Sequence, residues 1–242
     1  MKVYIQSYSN GIPCNKNFYY AYDGFHEMGF EIIPFFKKEH LELAKREDII
    51  VGYVEAVRDR LRDLSVPIPE IDYPIELNHY LGRKVWKDTI NHINCNPELW
   101  PVFVKPVEDK RFTGVLVSSP KDLIGCGTEG EDIEIQCSEP ISFLAEWRCF
   151  VRYGKILDIR RYKGNWKHIP DYSIIEKAVE EYTSAPTGYA IDFALTNDER
   201  TLLLEVNDGY SLGCYGLFPL DYAKLLSARW AELTDTEDEC NF

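Results

Sequence analysis

The sequence lacks the cysteine spacing of a zinc-binding or disulfide-rich protein. Its seven cysteines include no C-x-x-C pair, and an odd number cannot all pair within one chain. We therefore expect reduced thiols, with neither a disulfide framework nor a zinc site. The sequence also lacks any apolar run near the roughly 18 residues of a membrane span. MKVYIQS begins a strand pattern at once, so we expect no signal peptide, a cytoplasmic location and no membrane partner.

Positive charge is also scarce in this chain. Lys and Arg number 27 against 40 Asp and Glu, which gives a net charge of −13 and a pI of about 4.9. Nucleic acids and anionic membranes bind clustered Lys and Arg, so neither is expected as a partner. What the sequence does have is apolar residues, 45% of 242, which is enough for a sizeable core in one large or two small domains.

Hydrophobic periodicity predicts two domains. Over residues 1–75 strands alternate with helices, which predicts a small open α/β unit. Residues 76–242 begin with a helix at about 76–94 and continue as a mostly antiparallel α+β unit, with a hinge near 135–140. The acidic tail, 232–242, contains no Lys or Arg and is expected to be frayed. In the predicted domain 76–242 we expect strands at 101–105, 113–118, 132–137, 145–153, 155–163, 189–195 and 201–207. We expect helices there at 171–183 and 218–232.

The last two predicted strands, YAIDFAL and TLLLEVN, form an acidic hairpin. A loop over 197–200 would place Asp192 opposite Glu205 and Ala190 opposite Asn207. Because side chains alternate along a strand, the two carboxylates and the amide share one face. Facing carboxylates about 5 Å apart repel each other, and Mg²⁺ would relieve the repulsion by binding carboxylate and amide oxygens. The alternative is that both carboxylates are solvated on an open sheet face, or pair with Lys or Arg.

The pattern I-D-x-x-L, a short turn and L-L-E-x-N resembles the metal-binding hairpin of the ATP-grasp superfamily, in its D-alanine–D-alanine ligase type. The resemblance covers about residues 80–220. It implies an ATP-grasp fold, with a small leading α/β domain and two β-rich lobes that enclose ATP. It also implies that Asp192, Glu205 and Asn207 hold Mg²⁺, with two ions bridging the ATP phosphates.

The resemblance further implies where ATP is contacted. WPVFVKP ends in Lys-Pro, and its lysine would contact the phosphates. A lysine in RKVWK would supply a second contact. The 107–114 segment matches a phosphate loop but has one glycine. The hinge would contact the adenine edge through its backbone, and a glutamate in AEWRCFV would bind the ribose. The first phosphate lysine is Lys105, and the second is Lys84, with Lys87 as the alternative. The hinge residues are Gln136, Cys137 and Ser138, and the ribose-binding glutamate is Glu146.

A local basic cluster follows. Alternation in AEWRCFV points Glu146 and Arg148 the same way, and a turn at Tyr153-Gly154 would place Arg161 across from Glu146. Many relatives carry an arginine where this chain has Ala190. The resemblance implies that Arg148 and Arg161 replace it and clamp an acyl phosphate, with Lys163 in the same catalytic cluster. The alternative is a charged outer sheet face.

These features imply an ATP- and Mg²⁺-dependent carboxylate–amine ligase that acts through an acyl phosphate. Its substrate would be a small molecule or peptide carboxylate with an amine acceptor, and loop 208–217 would shape the acceptor pocket. The unusual Ala190 indicates a small, divergent bacterial or phage-like branch. Two alternatives remain open: a kinase that phosphorylates a small molecule, and a non-catalytic ATP-binding interaction protein.

Overall fold

The computed structural model describes residues 1–107, 111–127 and 131–242. Its strands are β1 (Lys2–Gln6), β2 (Glu31–Phe35), β3 (Ile49–Val51), β4 (Val85–Thr89), β5 (Val102–Pro106), β6 (Val115–Val117), β7 (Glu134–Ser138), β8 (Phe143–Arg152), β9 (Lys155–Gly164), β10 (Gly188–Thr196) and β11 (Thr201–Asp208). Its α-helices are α1 (Lys16–Glu27), α2 (Val54–Asp63), α3 (Ile90–Cys95), α4 (Tyr172–Glu181) and α5 (Pro219–Thr234). In the described ranges, no helix combines the length and apolar character needed to cross a membrane.

The N-terminal strands form an open parallel sheet in the order β2-β1-β3. Helix α1 joins β1 to β2, and its N-cap Asn15 accepts a hydrogen bond from the Phe18 N–H at 3.1 Å. An Asn side chain at this position satisfies a donor that the first helical turn leaves free. This arrangement confirms the predicted small open α/β unit.

The chain forms two compact units, one of Met1–Tyr80 with Leu144–Phe242 and one of Leu81–Phe143. In the first unit, the N-terminal sheet and α5 share one hydrophobic core, which contains Phe25 and Trp230. The predicted domains 1–75 and 76–242, with a hinge near 135–140, group the chain differently. The reason is that α5, from the end of the chain, completes the core of the N-terminal sheet.

Helix α1 packs closely on α5 at Gly24. A Cβ at this position would overlap the Pro219 carbonyl oxygen and lie 2.8 Å from the Ala223 Cβ. Gly24→Ala is therefore expected to lower the free energy of unfolding by about 2 kcal/mol, because overpacking exceeds the gain in helix propensity. Urea unfolding would measure the loss, with Gly127→Ala as the control, since a Cβ there meets no atom of the described residues within 4 Å. A Gly24→Ala protein as stable as the wild type would contradict this packing.

The chain end is ordered, so the predicted frayed tail is wrong. Arg152 Nη2 donates to Asp238 Oδ2 at 2.8 Å, and Ser227 Oγ donates to Asp238 Oδ1 at 2.6 Å. Cys240 is fully buried. The acidic composition that suggested a solvated tail instead supplies the partner of a largely buried arginine.

The second unit contains an antiparallel sheet in the order β4-β7-β5-β6. The predicted helix at 76–94 is wrong here. A 3-10 helix covers Ile75–Tyr80, Gly82 has φ +57°, and Val85–Thr89 pairs with β7. Positive φ ends the helical path, and pairing with a distant strand then determines the conformation of β4.

Candidate active site

The acidic hairpin lies in the antiparallel sheet β11-β10-β8-β9 of the first unit. Asp192 pairs with Glu205, and Ala190 pairs with Asn207, as the sequence predicts. The three polar side chains therefore come from neighbouring positions of β10 and β11. Asp192 is 2% exposed, so its face of the sheet is covered. Of the alternative for these carboxylates, a solvated Asp192 on an open sheet face is wrong, whereas its pairing with an arginine is confirmed.

Nearer the turn, the register differs by one residue from the one that a loop over 197–200 would give. Such a loop would pair Leu195 with Leu202, but Leu195 pairs with Thr201. A β-bulge next to Asp192 adds one residue to β11 and restores the expected pairing beyond it. Such a bulge shifts which residues oppose each other without changing the strand direction. The prediction at the acidic residues is thus correct although the predicted loop geometry is not.

Asp192 forms a buried bidentate ion pair with Arg148 of β8. Arg148 Nε donates to Oδ1 at 2.8 Å and Nη2 donates to Oδ2 at 2.7 Å. The exposed fractions of the two side chains are 7% and 3%. This geometry matches the guanidinium fork to both carboxylate oxygens. The predicted acyl-phosphate clamp Arg148 is therefore a direct partner of the predicted metal ligand Asp192.

Burial and charge act in opposite directions on this pair. Burial raises the pKa of Asp192, Arg148 opposes the rise, and Glu205 across the hairpin adds to it. Burial also acts against the charged form of Arg148, but Asp192 outweighs it and the pKa of Arg148 is raised. An arginine keeps its proton in proteins. The guanidinium thus remains charged and holds the carboxylate in its ionised form.

Two tyrosines enclose the ion pair. The Tyr162 hydroxyl lies 3.4 Å from Asp192 Oδ2, and the Tyr215 ring centroid lies 5.0 Å from the Arg148 guanidinium carbon. The two rings stack with centroids 4.7 Å apart. Burial raises the pKa of Tyr162, and the charges of Asp192 and Glu146 raise it further, so its phenol stays neutral. Sequence reasoning missed Tyr162, because a bulge turns its side chain toward Asp192.

A second bulge corrects the position of Arg161. On β8 and β9, a register shift between Phe150 and Val151 leads to pairing of Arg148 with Arg160 and of Trp147 with Arg161. Directly paired residues share a face of the sheet. Arg161 is exposed on the face of Trp147, so its predicted place across from Glu146 is wrong. Arg160 shares the face of Arg148 instead.

Glu146 and Lys163, predicted for ribose binding and catalysis, form an ion pair. They are paired across β8 and β9, and Lys163 Nζ lies 2.6 Å from Glu146 Oε1. The lysine side chain is 66% exposed, whereas the glutamate is largely buried. Water therefore reaches the lysine end of this pair. The roles of both residues stay predictions.

In the second unit, two lysines flank Gln136 of β7. Lys87 of β4 pairs with Gln136 on one side, and Lys105 of β5 pairs with it on the other. Paired residues in neighbouring strands share a face about 5 Å apart, so these three side chains form one row. Lys84 lies outside the row, and its Nζ is 5.0 Å from the Trp86 ring centroid. The geometry thus favours Lys87, the alternative, as the companion of Lys105.

The predicted adenine contact at Gln136, Cys137 and Ser138 conflicts with the pairing of β7. These residues pair with β4 on one side and β5 on the other. Backbone groups of a strand between two neighbours are used in the two hydrogen-bond ladders. The backbone of residues 136–138 is therefore not free to contact a ligand edge. Of the predicted phosphate loop, residues 108–110 lie outside the described residues.

Comparison with protein families decides the identity of the fold. The family described as "ATP-grasp domain, R2K clade family 2" matches residues 80–225, which is more than half of the chain. The chain belongs to this ATP-grasp family. No curated protein sequence gives a match.

Solved structures agree with the ATP-grasp fold. D-cycloserine synthetase DcsG has a TM-score of 0.62 at 10% identity, covering 95% of this chain and 100% of that chain. An L-amino acid ligase from Bacillus licheniformis has a TM-score of 0.59 at 12% identity, covering 96% and 75%. A D-alanine–D-alanine ligase from Bacillus anthracis has 0.57 at 16%, covering 96% of both chains. At these identities, the likeness establishes the fold.

The hairpin of this ATP-grasp domain supplies donors that suit Mg²⁺. Asp192, Glu205 and Asn207 offer two carboxylates and an amide oxygen, the hard ligands that Mg²⁺ takes. Asn207 Nδ2 donates to Asp192 Oδ2 at 3.2 Å, which turns its amide nitrogen, not its oxygen, to the carboxylate. Asp192 Oδ2 accepts from both Arg148 and Asn207, whereas Oδ1 accepts from Arg148 Nε and keeps a second lone pair among the described residues. Among the described residues no cluster of three His, Cys, Asp or Glu side chains could hold a metal, so a metal site here would need the Asn207 amide beside the two carboxylates.

Thiol labelling tests the burial of the two sheets of the ATP-grasp domain. Burial raises the pKa of Cys137 and of Cys149 to about 12, whereas Cys95 is exposed. At pH 8 a thiol with a pKa of about 12 is thiolate in roughly one molecule in 10⁴. In the native protein we expect a thiol reagent to label Cys95 within minutes and the two buried thiols far more slowly, as mass spectrometry of peptides would show.

Cys95→Ser is the control for this labelling, because it should remove the fast phase and leave the slow phase unchanged. Rapid labelling of Cys137 or Cys149 in the native protein would contradict the structure. The same shifts imply a pH dependence. Burial of the neutral thiols contributes fully to the stability of the fold at pH values below 9.0, the ordinary pKa of these thiols. This contribution is lost as the pH rises toward about 12, the pKa of the buried thiols.

Proposed function

We propose that the protein is an ATP- and Mg²⁺-dependent carboxylate–amine ligase of the cytoplasm that acts through an acyl phosphate. The observation that carries the proposal is the row of Asp192, Glu205 and Asn207, held in register in the ATP-grasp domain beside a buried arginine. The similar folds of D-cycloserine synthetase, the L-amino acid ligase and the D-alanine–D-alanine ligase support a ligase. Two structures of similar fold are described as bound to precursor peptides, which supports a peptide or small-molecule substrate.

In the proposed reaction the γ-phosphoryl group of ATP moves to a substrate carboxylate, giving ADP and an acyl phosphate. The amine then attacks the acyl carbon, the amide bond forms and phosphate leaves. Two bound Mg²⁺ ions would neutralise charge on the transferred phosphoryl group. Asp192, Glu205 and Asn207 would hold them. Arg148 keeps Asp192 ionised and oriented.

Fixed positive charge would come from lysine and arginine side chains. Lys105 and Lys87 stand in one row and would bind phosphate oxygens, in place of the first choice Lys84. Arg160, on the face of Arg148, replaces Arg161 as the second arginine for the acyl phosphate or the substrate carboxylate. Preorganised charges of this kind stabilise a transition state because they need no rearrangement during the reaction.

An ADP-release screen over pairs of amino acids and peptides tests the proposal, with mass spectrometry of the products. A ligase gives ADP and an amide only when a carboxylate and an amine are both present, and Glu205→Gln should abolish this turnover. A stable phosphorylated product without an amine would favour the kinase alternative. Absence of ADP release with every pair would favour a non-catalytic ATP-binding protein.

A further inference from the structure

A cavity of about 590 Å³ lies within the first compact unit. Its walls come from α1, from β9 and from the segment that enters α5, and they include Tyr19, Tyr20, Arg160 and Phe218. The volume is within the range of pockets that enclose small molecules, roughly 300–1,000 Å³. An amino acid with a large side chain would fit this space.

The walls of the cavity are aromatic and accessible. Tyr19 is 48% exposed and Phe218 is 53% exposed, although both are large rings. Tyr20 and Tyr22 of α1 line the same space. Aromatic faces gathered around a cavity offer contact area to an apolar ligand at low entropic cost. The cavity therefore favours a ligand with an aromatic or large aliphatic body.

Arg160 gives the cavity a cationic end with unused hydrogen-bonding capacity. Its Nη2 bonds Asp158 Oδ2 at 2.5 Å, but its Nε is buried with no hydrogen-bond partner among the described residues. A guanidinium has five N–H donors, and a carboxylate oxygen is their best acceptor. Because Nε is shielded from solvent, a ligand carboxylate would bind the accessible part of this side chain, which is 41% exposed. Asp23, also in the lining, would accept from an amino group.

Two contacts place this cavity next to the acidic hairpin. Arg160 pairs with Arg148 across β8 and β9, so both side chains share a face of the sheet. Gly216 of the lining directly follows Tyr215, whose ring lies over the Arg148 guanidinium. A ligand in the cavity would thus contact Arg160, which pairs with Arg148, and Gly216, which follows Tyr215 in loop 208–217.

We propose that this cavity binds an amino acid with a large apolar side chain, free or at the C-terminus of a peptide. Arg160 binds its carboxylate, and Tyr19, Tyr20 and Phe218 contact its side chain. The assignment of this ligand as a substrate rests on the proposed ligase function. The binding itself needs neither ATP nor turnover, so it can be tested separately.

Calorimetric titration of the wild-type protein without ATP provides the test. The probes are both enantiomers of phenylalanine, the corresponding phenylalanine amides, and alanine. We expect one phenylalanine enantiomer to bind, its amide to bind at least about tenfold more weakly because the carboxylate is missing, and alanine at least about tenfold more weakly because the ring is missing. Equal binding of acid and amide would overturn the proposal, as would the absence of saturable binding by either enantiomer.

Matched arginine variants locate the binding. Arg160→Met should remove the preference for the acid over the amide, and circular dichroism checks that it folds. Arg200→Met is the control, because Arg200 also bonds an aspartate two residues earlier, Asp198 at 2.7 Å, but lies in the exposed β10–β11 turn. Unchanged phenylalanine binding by Arg160→Met would overturn the site.

The binding and turnover results separate this inference from the proposed function. Arg160-dependent binding without ADP release from any substrate pair would support the cavity and reject the ligase. Ligation of a phenylalanine-containing pair that is unaffected by Arg160→Met would support the ligase reaction, and it would reject both the cavity and the proposed role of Arg160 in that reaction.

Discussion

Replacing Asp192 by asparagine is expected both to remove ATP turnover and to destabilise the fold. The change leaves the buried Arg148 guanidinium facing a neutral amide, and breaking a buried ion pair costs about 3–5 kcal/mol. It also removes a proposed Mg²⁺ ligand, so ADP release should fall by at least about 10²-fold. Urea unfolding and ADP release, measured on the same preparation, would show both effects. An active Asp192→Asn protein of wild-type stability would contradict this role.

A double variant separates the two effects. Arg148→Met with Asp192→Val removes both charges and keeps apolar volume, which is often neutral or stabilising for a buried pair. It should recover most of the lost stability and remain inactive. Asp198→Asn is the surface control, since Asp198 pairs with Arg200 on an exposed turn and its loss should change stability by less than about 0.5 kcal/mol. Additive losses in the double variant would contradict direct coupling of Arg148 and Asp192.

Arg229→Met is expected to destabilise the protein by a similar amount, about 3–5 kcal/mol. The side chain is 4% exposed, with Nε and Nη2 on Asp208 at 2.6 and 2.8 Å and Nη1 on Glu232 at 2.7 Å. Asp208 ends β11, and Glu232 accepts a hydrogen bond from the Thr187 N–H just before β10. Arg229 therefore links both strands of the acidic hairpin to α5. Its removal leaves the largely buried Asp208 carboxylate without its charged partner.

Urea unfolding would measure the loss, and hydrogen exchange should show faster exchange in β10 and β11. Arg62→Met is the matched control, because Arg62 bonds Asp59 at 2.9 Å on the surface and is 63% exposed. Exposed ion pairs contribute little, so this change should lower stability by less than about 1 kcal/mol. Equal effects of the two arginine substitutions would contradict a clamping role for Arg229.

Local pattern was sufficient to predict the hairpin and most strands. Val206 lies between the polar residues Glu205 and Asn207, and this period of two places both polar side chains on one face. The positions of Asp192 opposite Glu205 and Ala190 opposite Asn207 followed from it. The order of strands and helices then agreed with the ATP-grasp fold.

Long-range pairing explains what the sequence could not provide. The Val85–Thr89 segment becomes a strand because Glu134–Ser138 pairs with it, and no local signal specifies a partner so far away. One extra residue in a bulge exchanges the faces of Arg160 and Arg161, since a one-residue slip turns every following side chain over. The Arg148–Asp192 pair joins neighbouring strands whose adjacency the sequence did not show.

Oxygen-isotope transfer tests the central claim most directly. A substrate carboxylate labelled with ¹⁸O is incubated with the wild-type protein, ATP, Mg²⁺ and an amine, and the released phosphate is analysed by mass spectrometry. If the carboxylate is phosphorylated and the amine then displaces phosphate, one ¹⁸O atom passes to phosphate for each amide bond formed. Unlabelled phosphate accompanying amide formation would contradict the acyl-phosphate mechanism.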